Sequence, residues 1–333
     1  MVDGTTRHEE SSTSIADAST AVLEEGWVHD QHRSASTVPV KARGADDGDR
    51  QSPRDAMSDP RTYLFVPATR LDRVDKAWAS GSDAVIVDLE DAVHPDDKPT
   101  ALANVVTAEF ARALHVRINA RTTPFHDADL SALVDLTSLA GVVVPMVESP
   151  SDVAEVADAL PAGTEVIALV ETPLGLRRID EILATPHLTR VAFGSTDYCT
   201  ALGVERSAEV LAHPRSILAV AACAAGLPAP IDGPHLAIDD DAGLRDDVID
   251  ARRLGLRSKL CVHPRQVAIV SEILRPSAFD LHRARELLAA AEEAGGGVFR
   301  WEGMMVDEPV LVAAREIANS LRDDCTGTPF RPL

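Results

Sequence analysis

Aromatic residues are scarce in this chain, at 4%, although hydrophobic residues reach 45%. A large core is therefore available, but Ala, Val and Leu must fill most of it. Positive charge is also in short supply. The net charge of −21 excludes bulk electrostatic attraction to nucleic acid or to an anionic membrane. An acidic protein that handles an anionic substrate must supply local cations, from arginines or from a metal. The four cysteines (Cys199, Cys223, Cys261 and Cys325) lie far apart with no CxxC spacing. They read as reduced, mostly buried thiols of a cytoplasmic protein. There is no apolar run of about eighteen residues, so no membrane span is expected. Nor is there a basic start followed by an apolar core, so no secretory signal is expected.

Residues 1–59 differ from the rest. Ser, Thr, Asp, Gly and Arg dominate, and Trp27 is the only aromatic there. Such a stretch buries too little surface to offset the entropy of ordering, and it reads as a disordered acidic tail with a short helix near Ser14–Glu25. From Arg61 a regular beat of apolar run, turn and amphipathic helix begins. The expected strands are 62–66, 84–89, 114–118, 141–145, 165–170, 190–193, 229–232 and 258–262. Helical patterns fill the gaps, and Gly or Pro marks most junctions. Eight strands alternating with helices predict a (β/α)₈ barrel, here over 60–275. A doubly wound sheet is the alternative, but no GxGxxG follows the first strand. A helical extension over 276–333 carries GMMVDEP and lies outside the eightfold count.

On a barrel, chemistry collects at the ends of the strands. Strand one ends in VPATR; strand two supplies Asp88, Glu90 and Asp91; strand three holds Arg117; strand eight ends near His263. VIALVETPLG and VAFGSTDYCTALG each end an apolar run in an acid, Glu171 and Asp197. Either acid alone suits a cap, of a turn for Glu171 and of a helix for Asp197. Together, at matching positions, they favour a hard divalent cation with oxygen ligands, and Mg²⁺ fits best. Arg117, Asp88 and Glu90 are charges within apolar strands and need partners. A buried ion-pair network without a ligand is the alternative reading. The inventory excludes other chemistry. Only four lysines occur: Lys41 in the tail, Lys76 and Lys98 on helix starts, and Lys259 at the opening of strand eight. Schiff-base catalysis is thus poorly supported. GxSxG is absent, and His263 has no second histidine at zinc-ligand spacing.

The ordered run RTYLFVPATRLDRVDKA, DAVIVDLEDAV, VRINA, VVVPMVES, ALVETPLGL, AFGSTDYCTALG, CVHPRQV and GMMVDEPVL, over about 61–322, resembles the citrate lyase β-subunit family. That group includes malyl-CoA and citramalyl-CoA lyases within the HpcH/HpaI aldolase superfamily. The resemblance implies a Mg²⁺-dependent TIM barrel that makes or breaks a carbon–carbon bond in a CoA thioester. It implies that Glu171 and Asp197 hold the metal and that Arg117 grips substrate oxygens. Phe65 and Lys76 would line the substrate pocket, and the CoA arm would pass near Ile238 and Asp239. Asp307 would act as acid or base in a neighbouring subunit's site, in a homotrimer or hexamer. Two departures stand out: Met146 where relatives usually carry lysine, and Ala68 where they usually carry glycine. Alternatives are a β-subunit of a multisubunit citrate lyase acting on an acyl-carrier thioester, and a non-catalytic metal-binding relative.

Overall fold

The computed structural model describes residues 59–319. The tail before residue 59, with its expected short helix, and the end of the chain after residue 319 lie outside the described residues. Eight strands follow in order: β1 (Thr62–Pro67), β2 (Ala84–Asp88), β3 (Leu114–Arg117), β4 (Leu139–Val144), β5 (Glu165–Val170), β6 (Arg190–Phe193), β7 (Ile231–Asp232) and β8 (Ser258–Cys261). Each pairs in parallel with its neighbour, and β8 closes on β1, so the sheet is a complete barrel with helices between its strands. The fold is the (β/α)₈ TIM barrel that the sequence implied.

Strand alternation divides the apolar residues between two layers. Val85, Val87, Val116, Val142, Val144 and Val166 face outward into the packing against the helices. Tyr63, Ile86, Val143, Ile167, Leu169 and Leu260 fill the barrel interior. The inward polar residues sit at the two rims. At the strand starts, Arg190 donates to the Tyr63 hydroxyl (3.1 Å) and to Ser258 Oγ (2.7 Å), while His115 meets Glu165 at 2.9 Å. At the strand ends are Asp88, Arg117 and Glu171.

Two elements differ from expectation. Only Ile231 and Asp232 of the segment 229–232 form β7, because Pro230 has no N–H to give to a ladder. Past the barrel, the helices Ala278–Glu293 and Glu308–Asn319 are joined by an unforeseen antiparallel hairpin, β9 (Phe299–Trp301) and β10 (Met304–Val306). Its turn residues, Glu302 and Gly303, both have positive φ, as a tight hairpin turn demands. This extension has its own small core, which includes Leu287, Val306 and Leu311.

Helix Ala208–Ala225 is long and apolar enough to cross a membrane. It serves a different purpose here. Leu211, Leu218 and Ala222 pack into the outer layer, and its buried Arg215 pairs with Asp232 at 2.9 Å. Lys259 Nζ joins the same network, 2.6 Å from Asp232 and 2.8 Å from Asp247. Lys259 therefore acts between sheet and helices, outside the barrel interior.

Candidate functional site

Glu171 follows β5 directly and is 3% exposed. Its Oε1 accepts a 2.7 Å hydrogen bond from the Met146 N–H. Met146 holds that donor in place with φ of 53°, a left-handed conformation unusual for a residue with a side chain. Behind Glu171 lies Gly194, where an added Cβ would collide with the Glu171 side chain. The capping roles considered for the acids fall elsewhere. Thr172, not Glu171, accepts the capping hydrogen bond of the helix Pro173–Arg177. Gly194 is the N-cap of the helix Ser195–Leu202, which leaves Asp197 in the first turn, exposed. The two acids lie close enough for the Asp197 charge to act on the Glu171 carboxyl.

Across the strand ends, Arg117 gathers the other carboxylates. Its Nε and Nη2 donate to Asp88 at 2.7 and 2.6 Å, and Nη1 lies 3.0 Å from Glu90 and 3.2 Å from Asp91. The guanidinium also sits 4.9 Å from the Phe65 ring centre. These acids hold it charged well above the ordinary arginine range, against the cost of burial. Lys98 fixes the loop that carries Glu90 by donating to the carbonyls of Leu89 (2.8 Å) and Glu90 (2.7 Å) and to Asn119 Oδ1.

Negative charge is in excess. Burial pushes the Glu171 carboxyl up to about 8, helped by Asp197 and Asp91 and opposed by the Met146 N–H and Arg117. Burial pushes Glu90 up to about 9, against the pull of Arg117. Asp197 is raised as well, by burial first and then by Asp91. Among the described residues lining the adjoining cavity of about 430 Å³, Arg117 is the only cation, against Asp88, Asp91, Glu171 and Asp197. Carboxylates that raise one another's pKa in this way suit a hard divalent cation, which would relieve the repulsion. The residues present fit Mg²⁺.

Phe65, Arg117, Glu171 and Asp197 thus meet at one cavity. Asp88 and Asp91 of the second strand end line it too, whereas the remaining predicted residues do not. Lys76 is exposed on the helix Val74–Ala79. Ile238 and Asp239 lie on the exposed loop after β7, where Asp239 pairs with Arg265 at 2.9 Å. Their neighbours Pro234 and Leu236 take the cavity wall instead. Asp307 accepts a long 3.5 Å bond from the Val310 N–H at the start of the last helix. His263 caps the helix Pro264–Leu274. Ala68 has no positive φ, so glycine is not needed there. Sequence reasoning missed the Met146 donor and the cavity wall of Gly194, Thr196 and Val262. Only Gly194 gave a signal, as a glycine at a strand-to-helix junction.

The family model for HpcH/HpaI aldolase/citrate lyase matches residues 61–264. A citrate lyase subunit beta-like protein of Deinococcus radiodurans is 39% identical over 275 residues, covering 77% of this chain and 95% of the relative. An L-malyl-CoA/beta-methylmalyl-CoA lyase of Rhodobacter capsulatus is 31% identical over 286 residues, covering 74% and 90%. The crystal structure of CitE from Mycobacterium tuberculosis in complex with magnesium, acetoacetate and coenzyme A superposes with a TM-score of 0.70 at 36% identity, covering 80% of this chain and 99% of that one. The chain belongs to the HpcH/HpaI aldolase/citrate lyase family.

Proposed function

We propose that this protein is a Mg²⁺-dependent carbon–carbon lyase. Its substrate would be a 3-hydroxyacyl-CoA such as malyl-CoA or citramalyl-CoA, cleaved to (or formed from) a 2-oxo acid and an acyl-CoA. The observation that carries this reading is the pair Glu171 and Asp197 on adjacent strand ends, in a cavity where, among the described residues lining it, four acids face one cation. Glu171 and Asp197 would hold the ion. Bound there, Mg²⁺ supplies positive charge close to oxygens that gain negative charge in the reaction. The relatives named above as a malyl-CoA lyase and as a structure with magnesium and coenzyme A support the same class of substrate.

The chain's own residues divide the remaining work. Arg117 donates from Nε and Nη2 to Asp88 and from Nη1 to Asp91, with Glu90 3.0 Å from Nη1, and the second Nη2 hydrogen would serve a substrate oxygen. Arg117 therefore fixes the acids as much as it grips substrate. Cleavage needs the 3-hydroxyl proton removed, and in this reading Asp91, exposed and on the cavity wall, would take it. The bond between C2 and C3 then breaks. Its electron pair passes into the thioester as an enolate, and the 2-oxo acid departs. A proton must next reach the enolate carbon. Asp307 does not line the cavity of its own chain, so in this reading it acts from a second copy in a homotrimer or hexamer. Apolar Phe65, Leu236 and Val262 keep water from competing for the enolate.

The test is turnover of malyl-CoA and citramalyl-CoA with and without Mg²⁺, reading the released 2-oxo acid. Cleavage is expected in the wild type and should be lost in Glu171→Ala and in Asp197→Ala. Mg²⁺-dependent cleavage that survives both substitutions would reject the site. The likeness to proteins described as citrate lyase β-like favours a second reading, with an acyl-carrier thioester as substrate. Activity with a carrier-bound thioester and none with the CoA form would favour it.

A further inference from the structure

We infer that His126, Asp127 and Glu155 form a second metal site, separate from the acids at the strand ends and suited to a borderline transition ion such as Zn²⁺. One ring nitrogen of His126 and one carboxylate oxygen each from Asp127 and Glu155 lie within 4.8 Å of one another. His126 begins the helix His126–Leu133, and Glu155 lies on the helix Pro150–Ala159.

The tautomer of the ring is decided by its other contact. Nδ1 of His126 stands 2.9 Å from the backbone carbonyl of Asn119. A carbonyl only accepts, so Nδ1 carries the hydrogen. In the neutral ring Nε2 then presents a bare lone pair. His126 is 2% exposed, and Nε2 is buried without any hydrogen-bond partner. A buried acceptor left in this state is costly. Two carboxylates, which are acceptors too, stand within 4.8 Å of a His126 ring nitrogen. Acceptors gathered this closely are satisfied by a cation. A histidine whose far nitrogen is pinned by a backbone carbonyl is also the usual arrangement of a metal-bound imidazole.

The donor set selects the ion. Imidazole suits Zn²⁺ and its neighbours, whereas Mg²⁺ and Ca²⁺ prefer oxygen alone. Ligand atoms of a tetrahedral zinc site lie roughly 3.3 Å apart. Asp127 and Glu155 are both exposed, so their carboxylates can draw in without moving the backbone. Arg121 Nη2 holds Glu155 at 2.7 Å in the present arrangement. That arginine is itself half-exposed and is bound to Asp152 as well, so it can release Glu155 and keep a partner. Water would complete the coordination. The site would tie the helix after β3 to the helix after β4.

The experiment is equilibrium dialysis of the full chain against Zn²⁺ with Mg²⁺ in large excess, comparing four proteins. Wild type and Glu171→Ala should bind zinc alike. The double variant Asp127→Asn/Glu155→Gln should bind one equivalent less, or bind it at least tenfold more weakly. His126→Gln should show the same loss. Because His126 is buried, that variant can fail to fold, and the double variant at exposed positions then carries the test. Zinc should also raise the melting temperature of wild type and of Glu171→Ala, but not of the double variant. Equal zinc affinity and stoichiometry in wild type and double variant would overturn the inference. So would a loss of zinc confined to Glu171→Ala.

Discussion

Glu171 is held by what its neighbours lack as much as by what they offer. Gly194 has no side chain, and any Cβ there would overlap the Glu171 carboxylate. Gly194→Ala should therefore weaken Mg²⁺ binding about 10–100-fold, in line with other losses of ligand support, while leaving the far-ultraviolet circular dichroism unchanged. Mg²⁺ affinity equal to wild type would mean that Glu171 tolerates displacement. Met146 contributes only its backbone to this carboxylate, and does so in a left-handed conformation that costs about 1 kcal/mol for a residue with a Cβ. Met146→Gly should relieve that cost and stabilise the protein by about 1 kcal/mol in urea unfolding, with Mg²⁺ affinity preserved. A less stable glycine variant would show that the Met146 side chain does more packing than its 43% exposure indicates. The acids themselves were legible in the sequence, because each ends an apolar run. The Met146 donor was not, since a hydrogen bond from the backbone leaves no mark on the residue that makes it.

Among the elements, the strands are the part the amino-acid pattern describes best. Runs such as AVIVD and EVIALV are apolar on both faces because both faces are covered. What the runs conceal is the polar layer at the strand starts. Tyr63, Arg190 and Ser258 sit far apart in sequence, and only barrel closure brings them together. Burial pushes the Tyr63 hydroxyl up from 10.0 to about 12, despite Arg190. The sign follows from the raised value. Below pH 10 the ring is neutral whether the chain is folded or not, and its contribution is complete. Between about 10 and about 12 the unfolded chain gives up the proton while the folded chain keeps it, so stability falls. Over that window the loss from Tyr63 approaches about 3 kcal/mol. Tyr63→Phe should start less stable at neutral pH, having lost the Arg190 contact, yet decline less steeply across the window. Parallel alkaline unfolding curves for the two proteins would contradict this assignment. The β9–β10 hairpin was missed for a different reason: three-residue strands are too short for alternation to register.

At the scale of the whole molecule, the barrel and its C-terminal extension have separate cores, and the proposed chemistry needs both. The wall of the cavity is built by the barrel, with Glu171 and Asp197 on it, whereas Asp307 stands at the head of the last helix and is not among the residues that line it. Motif order could place Asp307 in the reaction, but nothing in one chain's sequence says whose cavity it serves. If it serves a second copy, two defective chains should repair each other. If Glu171 holds the metal and Asp307 carries the proton, Glu171→Gln and Asp307→Asn should each be inactive alone. In a mixed oligomer, a cavity with Glu171 intact can pair with an Asp307 from its partner, and that site has every group it needs. Random mixing of equal amounts, after partial denaturation and reassembly, should restore about one quarter of wild-type turnover, because half of the cavities are intact and half of the partners are. Restoration requires contact between chains, so it should vanish when the two variants are assayed together without reassembly. A mixture that stays inactive after reassembly, with hybrid oligomers confirmed by mass, would place Asp307 outside the reaction or confine it to its own chain.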